Sequence, residues 1–314
     1  MNRVILSGIT GGSPLAALAS FGLLRICQEI PELKGARLSW NYKENDGTAL
    51  DEPVAVMHFS NTVDEGILVS TLVEHIASVN SEYFDWSDDI RVPPEKFTEM
   101  LNLHLKNSSL YERLWADMLS AFGSEIVVDR VKGMVKPTLF QMTAGQQRFL
   151  RSISEVRDSL KSKTDEAVRE ALFGPWLYKD PYHSLGWDPA TERLHALRVE
   201  APTKETPRCV RAAVYLAAES LPIFPTVVLP SRKLGTTGFT KNGDGNDAFV
   251  WPVWEPPIGV ESLKSLLASS ELISGRKGMR SLMRRGVIAV YGAVRFEFGQ
   301  GYGIFRPSSV VWSR

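Results

Sequence analysis

Arg3-Val4-Ile5-Leu6-Ser7-Gly8-Ile9-Thr10-Gly11-Gly12-Ser13-Pro14-Leu15-Ala16-Ala17-Leu18-Ala19-Ser20-Phe21-Gly22-Leu23-Leu24 opens the chain and decides how the rest is read. Arg3 to Ser7 read as a strand and Gly8 to Gly12 as a turn. Ser13 reads as an N-cap, with Pro14 at the first helical position. The helix is expected to run through Ile26, Cys27 and Ile30 until Pro31 stops it. Nearly every position to Leu24 is apolar or small, so burial on most sides is expected rather than one apolar stripe. Folding is then expected to begin with the first residues.

Only three apolar residues follow Arg3 before the glycines, which does not make a signal peptide. Leu15 to Leu24 is about half of the roughly 20 residues that cross a bilayer, so no membrane partner is expected. The two cysteines, Cys27 and Cys209, are too few for a zinc site or a disulfide framework. Two free thiols in a reducing, cytoplasmic compartment are expected.

The 314 residues carry 36 basic and 36 acidic side chains, unevenly placed. Residues 1–130 hold a net charge of −9 and residues 131–314 a net of +9. Residues 276–314 hold eight Lys or Arg against one acid, Glu297. An acidic α+β region (1–130) and a basic one (131–314, boundary between 130 and 165) are expected, the basic one facing nucleic acid.

The fold class expected is α+β: an N-terminal strand–helix–hairpin unit, a helical middle and a C-terminal β-rich segment. Ala36–Tyr42 and Pro53–Phe59 read as a hairpin around an Asp46-Gly47 turn. Val63–Val79 reads as a helix. Pro94–Phe122 carries one helical pattern, with Met100, Leu101, Leu105, Leu110 and Leu114 among its inward positions. Further helices are expected around Phe149–Leu160, Cys209–Leu221 and Val260–Leu272. Ser231–Gly245 reads as a polar loop or hairpin closed by Trp251-Pro252-Val253-Trp254, and Gly286–Trp312 as strands.

Chemistry is sparse. His58, His75, His104, His183 and His195 are scattered, and none sits in a metal-binding spacing. His104 is expected at the surface. No Gly-x-Ser-x-Gly elbow occurs. Gly11-Gly12-Ser13-Pro14 faintly resembles a phosphate turn but reads better as a tight turn. Gly243–Asp247 lacks the spacing of a calcium loop and reads as a hairpin turn. Neither a catalytic group, a metal nor a cofactor is expected.

The candidate contacts are therefore basic. Arg232, Lys233, Thr236, Thr237 and Lys241 lie on the polar loop. Arg276, Lys277, Arg280, Arg284, Arg285, Arg295 and Arg306 lie in the tail among Tyr291, Phe296, Phe298, Tyr302, Phe305 and Trp312. Arginine pairs with phosphate and aromatic rings stack unpaired bases. Two alternatives stand beside this. One is a metal-dependent nuclease or hydrolase using Asp85, Asp88, Asp89 and the acids between residues 44 and 52. The other is a structural interaction protein docking through Trp251, Trp254 and Glu255-Pro256-Pro257.

Six stretches carry a resemblance. They are Leu6-Ser7-Gly8 with Ser13–Arg25, Thr143-Ala144-Gly145-Gln146-Gln147-Arg148-Phe149-Leu150, and Ser184-Leu185-Gly186-Trp187-Asp188-Pro189. The others are Thr236-Thr237-Gly238-Phe239, Trp251-Pro252-Val253-Trp254, and Arg285-Gly286-Val287 with Gly299-Gln300-Gly301-Tyr302-Gly303. Together they resemble the small large-subunit-type proteins of type I-U (also called I-G) CRISPR systems. The resemblance implies a non-catalytic subunit of a Cascade-like effector complex in antiviral defence. Its partners would be other effector subunits, crRNA, double-stranded target DNA and a separate helicase-nuclease. Base pairing would read the target while protein recognises the protospacer-adjacent motif (PAM) and holds the opened strands.

Overall fold

β1 (Asn2–Thr10), α1 (Pro14–Ile26), β2 (Arg37–Lys43) and β3 (Ala49–Phe59) form the expected N-terminal unit, an antiparallel sheet in the order β1-β3-β2 with α1 on it. The computed structural model describes residues 2–43, 49–79, 81–106, 109–143, 147–162, 164–191, 207–274, 278–298 and 302–314. Arg276, Lys277, His195, Gln146 and the Asp46-Gly47 turn lie outside them. β1 continues through Gly8 to Thr10, so the turn is only Gly11-Gly12. Gly8 stays extended because backbone packs against it: a Cβ there would lie 2.6 Å from the Gly174 nitrogen.

Ser13 caps α1, its hydroxyl accepting from Ala16 N–H at 3.2 Å. All thirteen α1 residues are buried. Each fully hidden Leu, Ile or Phe there contributes about 1.5–3 kcal/mol. The helix stops at Ile26 instead of running to Ile30, with Cys27 and the following residues in turns. Its densest contact is downstream. Gly22 lets α1 meet the backbone of the alanine-rich helix at 211–219 with nothing between them.

α2 (Glu65–Ser78) is capped by Asp64. The long pattern that follows divides into α3 (Pro94–Leu105) and α4 (Leu110–Phe122). Leu105, expected inside, is 63% exposed at the end of α3. His104, expected outside, is buried. Its ring stacks on Trp115 at 4.0 Å and its Nδ1 lies 2.6 Å from Glu112 Oε2. The helix-to-helix contact reverses both expectations, because it covers the His104 face and leaves Leu105 past the partner helix.

β4 (Gly123–Asp129) and β5 (Met134–Pro137) make a hairpin that the sequence reading did not mark. α5 (Phe149–Ser159) falls where expected, and α6 (Thr164–Phe173) is additional. α7 (Arg211–Glu219) packs on α1, α5 and α6. Between α1 and α7 lies a buried polar cluster of Arg25, Glu219 and Tyr83, in which the Arg25 guanidinium holds the Glu219 carboxylate.

β6 (Thr226–Val228) and β7 (Leu234–Thr236) form a second small hairpin. β8 (Phe239–Lys241) pairs with β9 (Asp247–Trp254) around a turn held by Asn242. Then come α8 (Val260–Leu267), α9 (Ser270–Ile273) and α10 (Met279–Arg284). β10 (Val287–Phe298) is the spine of the C-terminal sheet and pairs with β9, β11 (Tyr302–Phe305) and β12 (Ser309–Ser313).

Pro252 is tolerated inside β9 because β8 reaches only as far as Phe249, so no strand needs an N–H on that side. Trp251 and Trp254 are fully buried, which removes them as a docking face. Their indole N–H groups donate to Gly11 O and Leu38 O, both at 2.8 Å, and tie β9 to the N-terminal unit. Residues from both sides of position 130 share one apolar core. Cys27 and Cys209 are free and buried. Among the described residues no helix is long and apolar enough to cross a membrane.

Candidate nucleic-acid interface

The β4–β5 and β6–β7 hairpins stand side by side. Thr226 Oγ1 donates to Ser120 O at 2.8 Å and Gly123 O at 3.1 Å, and Leu139 N–H donates to Thr236 Oγ1 at 3.0 Å. At the first tip, Asp129 Oδ1 accepts from the amides of Val131 and Lys132, and Gly133 takes φ +65°. Those two amides, then the charges of Lys132 and Lys136, hold the Asp129 carboxyl below its usual range. The tip presents Arg130, Val131 and Lys132 to solvent, Val131 at 95% exposure. At the second tip Arg232 sits at φ +57°, and its N–H donates to Leu229 O at 2.8 Å.

Arg130, Lys132, Lys136, Arg232 and Lys233 are all exposed. None has a carboxylate within salt-bridge distance among the described residues. Behind the first hairpin runs a cleft of about 320 Å3. It sets Arg91, Lys132, Lys136 and Arg295 among Asp129, Asp247 and Glu297.

The expected contact residues separate into two groups. Lys241 and Arg295 lie at one end of the C-terminal sheet with Arg306, while Arg280, Arg284 and Arg285 lie at the start of β10. Eight strand residues put these ends roughly 25–30 Å apart. Several of the cations are already engaged within the chain. Arg295 donates to Leu139 O and Gln141 O and pairs with Glu297. Lys241 pairs with Asp247 at 2.7 Å and Arg285 with Glu271 at 3.0 Å. Arg306 lies over the Phe296 ring, 4.0 Å from its centroid.

Thr236 is 6% exposed and Thr237 donates to Pro225 O, so these hydroxyls hold the hairpin instead of facing a ligand. Arg232, Lys233, Arg280 and Arg284 keep exposed side chains with no salt bridge among the described residues. Of the tail aromatics whose side chains are described, Tyr291, Phe305 and Trp312 are buried, Tyr302 is half-buried and Phe296 is exposed. Arg130, Lys132 and Lys136 were not singled out from the sequence. The signal for them was an Asp129-x-x-x-Gly133 turn between Val127-Val128 and Met134-Val135.

Of the acids proposed for a nuclease, Asp85 and Asp89 are tied up separately and Asp88 is exposed. Asp85 pairs with Arg157 at 2.7 Å, and Asp89 binds Arg91 and the Gln141 amide. Among the described residues no three His, Cys, Asp or Glu side chains are grouped to hold a metal ion. The turn before α1 is occupied by a carboxylate, not opened for phosphate, since Glu52 Oε1 lies 2.6 Å from a Cβ built on Gly12. No protein-family model, curated protein or solved structure matches the chain. The functional reading therefore rests on the residues themselves.

Proposed function

We propose that this chain is a non-catalytic subunit of a crRNA-guided type I CRISPR surveillance complex in antiviral defence, contacting target DNA near the PAM and stabilising the opened strands. The six resembling stretches support this assignment. The observation that carries the contact is the set of five exposed cations on two adjoining hairpins, beside a cleft that adds Arg91 and Arg295 among three carboxylates. Cations at loop tips neutralise phosphates, and each phosphate contact on duplex DNA adds a slope of about −0.9 in log affinity against log salt.

Replacing Arg130, Lys132, Arg232 and Lys233 together by alanine should therefore weaken duplex binding across sequences. It should also flatten the salt slope by about 3–4. Arg280→Ala with Arg284→Ala should flatten it by at most about 2. A salt titration by fluorescence anisotropy, for the chain alone and in the assembled complex, reads both. Superimposable curves for all three proteins would sink the nucleic-acid reading. They would favour a protein-docking subunit, the reading suggested by exposed Val227, Val228 and Leu229 on the same hairpin.

The purified chain is also expected to leave DNA and RNA intact with Mg²⁺ or Mn²⁺ present. Cleavage that survives repurification and disappears in an Asp89→Asn variant would return the hydrolase reading.

A further inference from the structure

A cavity of about 690 Å3 opens where β1 turns into α1 and the chain leaves α6, a volume suited to a small organic ligand or a short peptide segment. Its wall carries two carboxylates, Glu52 and Asp188, and three aromatic residues, Phe173, Trp176 and Tyr178, with no Lys, Arg or His among the described lining residues. Two of the hydroxyls there spend their protons on the main chain: Ser7 donates to Phe173 O at 2.8 Å and Ser308 to Gly12 O. The surface offers acceptors and lacks positive donors.

Asp188 is the sharpest anomaly. It is 3% exposed, its Oδ1 accepts the Ala190 N–H at 2.9 Å, and its Oδ2 has no partner at close hydrogen-bonding distance. The Tyr178 hydroxyl is its neighbour, and burial pushes the Asp188 carboxyl up against the pull of the Ala190 amide and Tyr178. Burial first, then the Asp188 charge, keeps that phenol protonated. The positive end of α1 does not answer Asp188, because Glu52 already lies against it at Gly12. Trp176 and Tyr178 stand nearly perpendicular with ring centroids 6.3 Å apart, giving two walls of a cage. Tyr178 is held at φ +53°, a conformation a bulky residue adopts only when its surroundings impose it.

We propose that this cavity binds an organic cation, a guanidinium or ammonium group, held between Trp176 and Tyr178 with Glu52 and Asp188 as counter-charges. Aromatic faces attract such cations, most strongly where water is excluded. A guanidinium also brings several donors in one plane, matching the two carboxylates of the wall. The group could be presented by an Arg or Lys of a partner polypeptide or by a free polyamine. The assignment is independent of the nucleic-acid reading.

The test is calorimetric titration of the full chain with arginine amide, and with citrulline amide as the neutral isostere. Arginine amide should bind one site saturably, and citrulline amide about tenfold more weakly or not at all. Glu52→Gln, at an exposed position, should weaken arginine amide about tenfold, and Asp188→Asn should do the same where circular dichroism shows an intact fold. Equal affinity for the two amides, unchanged affinity in Glu52→Gln, or no heat at millimolar ligand would each overturn the proposal. Tighter binding of a Gly-Arg-Gly amide than of spermidine assigns the site to a peptide, and the reverse order assigns it to a polyamine.

Discussion

Replacing Glu219 by alanine should cost about 3–5 kcal/mol of folding stability, since it leaves a buried guanidinium without its partner. Glu219 is 1% exposed, and its carboxylate receives the Arg25 guanidinium and the Tyr83 hydroxyl, the latter at 3.0 Å to both oxygens. Arg25 also reaches Glu219 O and Glu29. Burial works against the Arg25 charge, but Glu219 and then Glu29 outweigh it and hold the group protonated above its ordinary value. Once Glu219 is gone, α1 and α7 enclose a charge answered only by the partly exposed Glu29. Urea titration should show a lower midpoint at unchanged slope. The paired change Arg25→Met with Glu219→Leu should recover most of the loss, since apolar replacements of a buried pair are often neutral. A loss under about 1 kcal/mol in Glu219→Ala would mean that water or a moved side chain satisfies Arg25.

Gly22→Ala is expected to be comparably severe, at about 3 kcal/mol or more. A Cβ at residue 22 would lie 1.7 Å from Leu216 O and 2.7 Å from Leu216 C. The obstruction is main chain, so no rotamer change relieves it, and α1 must move off α7. Gly243→Ala is the control. Nothing lies within 4 Å of a Cβ there and the backbone is not left-handed, so its melting temperature should barely change. Wild-type melting in Gly22→Ala would show that the two helices can slide apart freely.

Local composition was enough to read α1. An N-cap, a proline and a run of small and apolar residues specify a helix and its burial without knowledge of its neighbours. The N-terminal hairpin, α5 and the strand-rich end were readable for the same reason, because their periodicity is local. What escaped depends on distant partners. His104 reads as polar and sits inside because Trp115 and Glu112 come round on the next helix. Thr236 reads as a loop hydroxyl but supports Leu139, 97 residues away.

Arg295 reads as a ligand-facing cation yet caps carbonyls 154 and 156 residues earlier. The candidate contact surface was therefore only half legible. The tip of the β6–β7 hairpin was visible as an Arg-Lys pair in a glycine-rich loop. The β4–β5 tip gains meaning only when Thr226 brings the two hairpins together.

α1 is made well before the helix that it packs on most closely. Its closest neighbour starts at Arg211, and Trp254, which stacks on Phe21, comes later still. At about 5–20 residues per second, about 10–40 s separate the synthesis of α1 from that of α7. Over that interval the face of α1 that meets α7 lacks its native cover, while the β1-β3-β2 sheet that α1 also packs on is already made. The contact between α1 and α7 is therefore made late in synthesis.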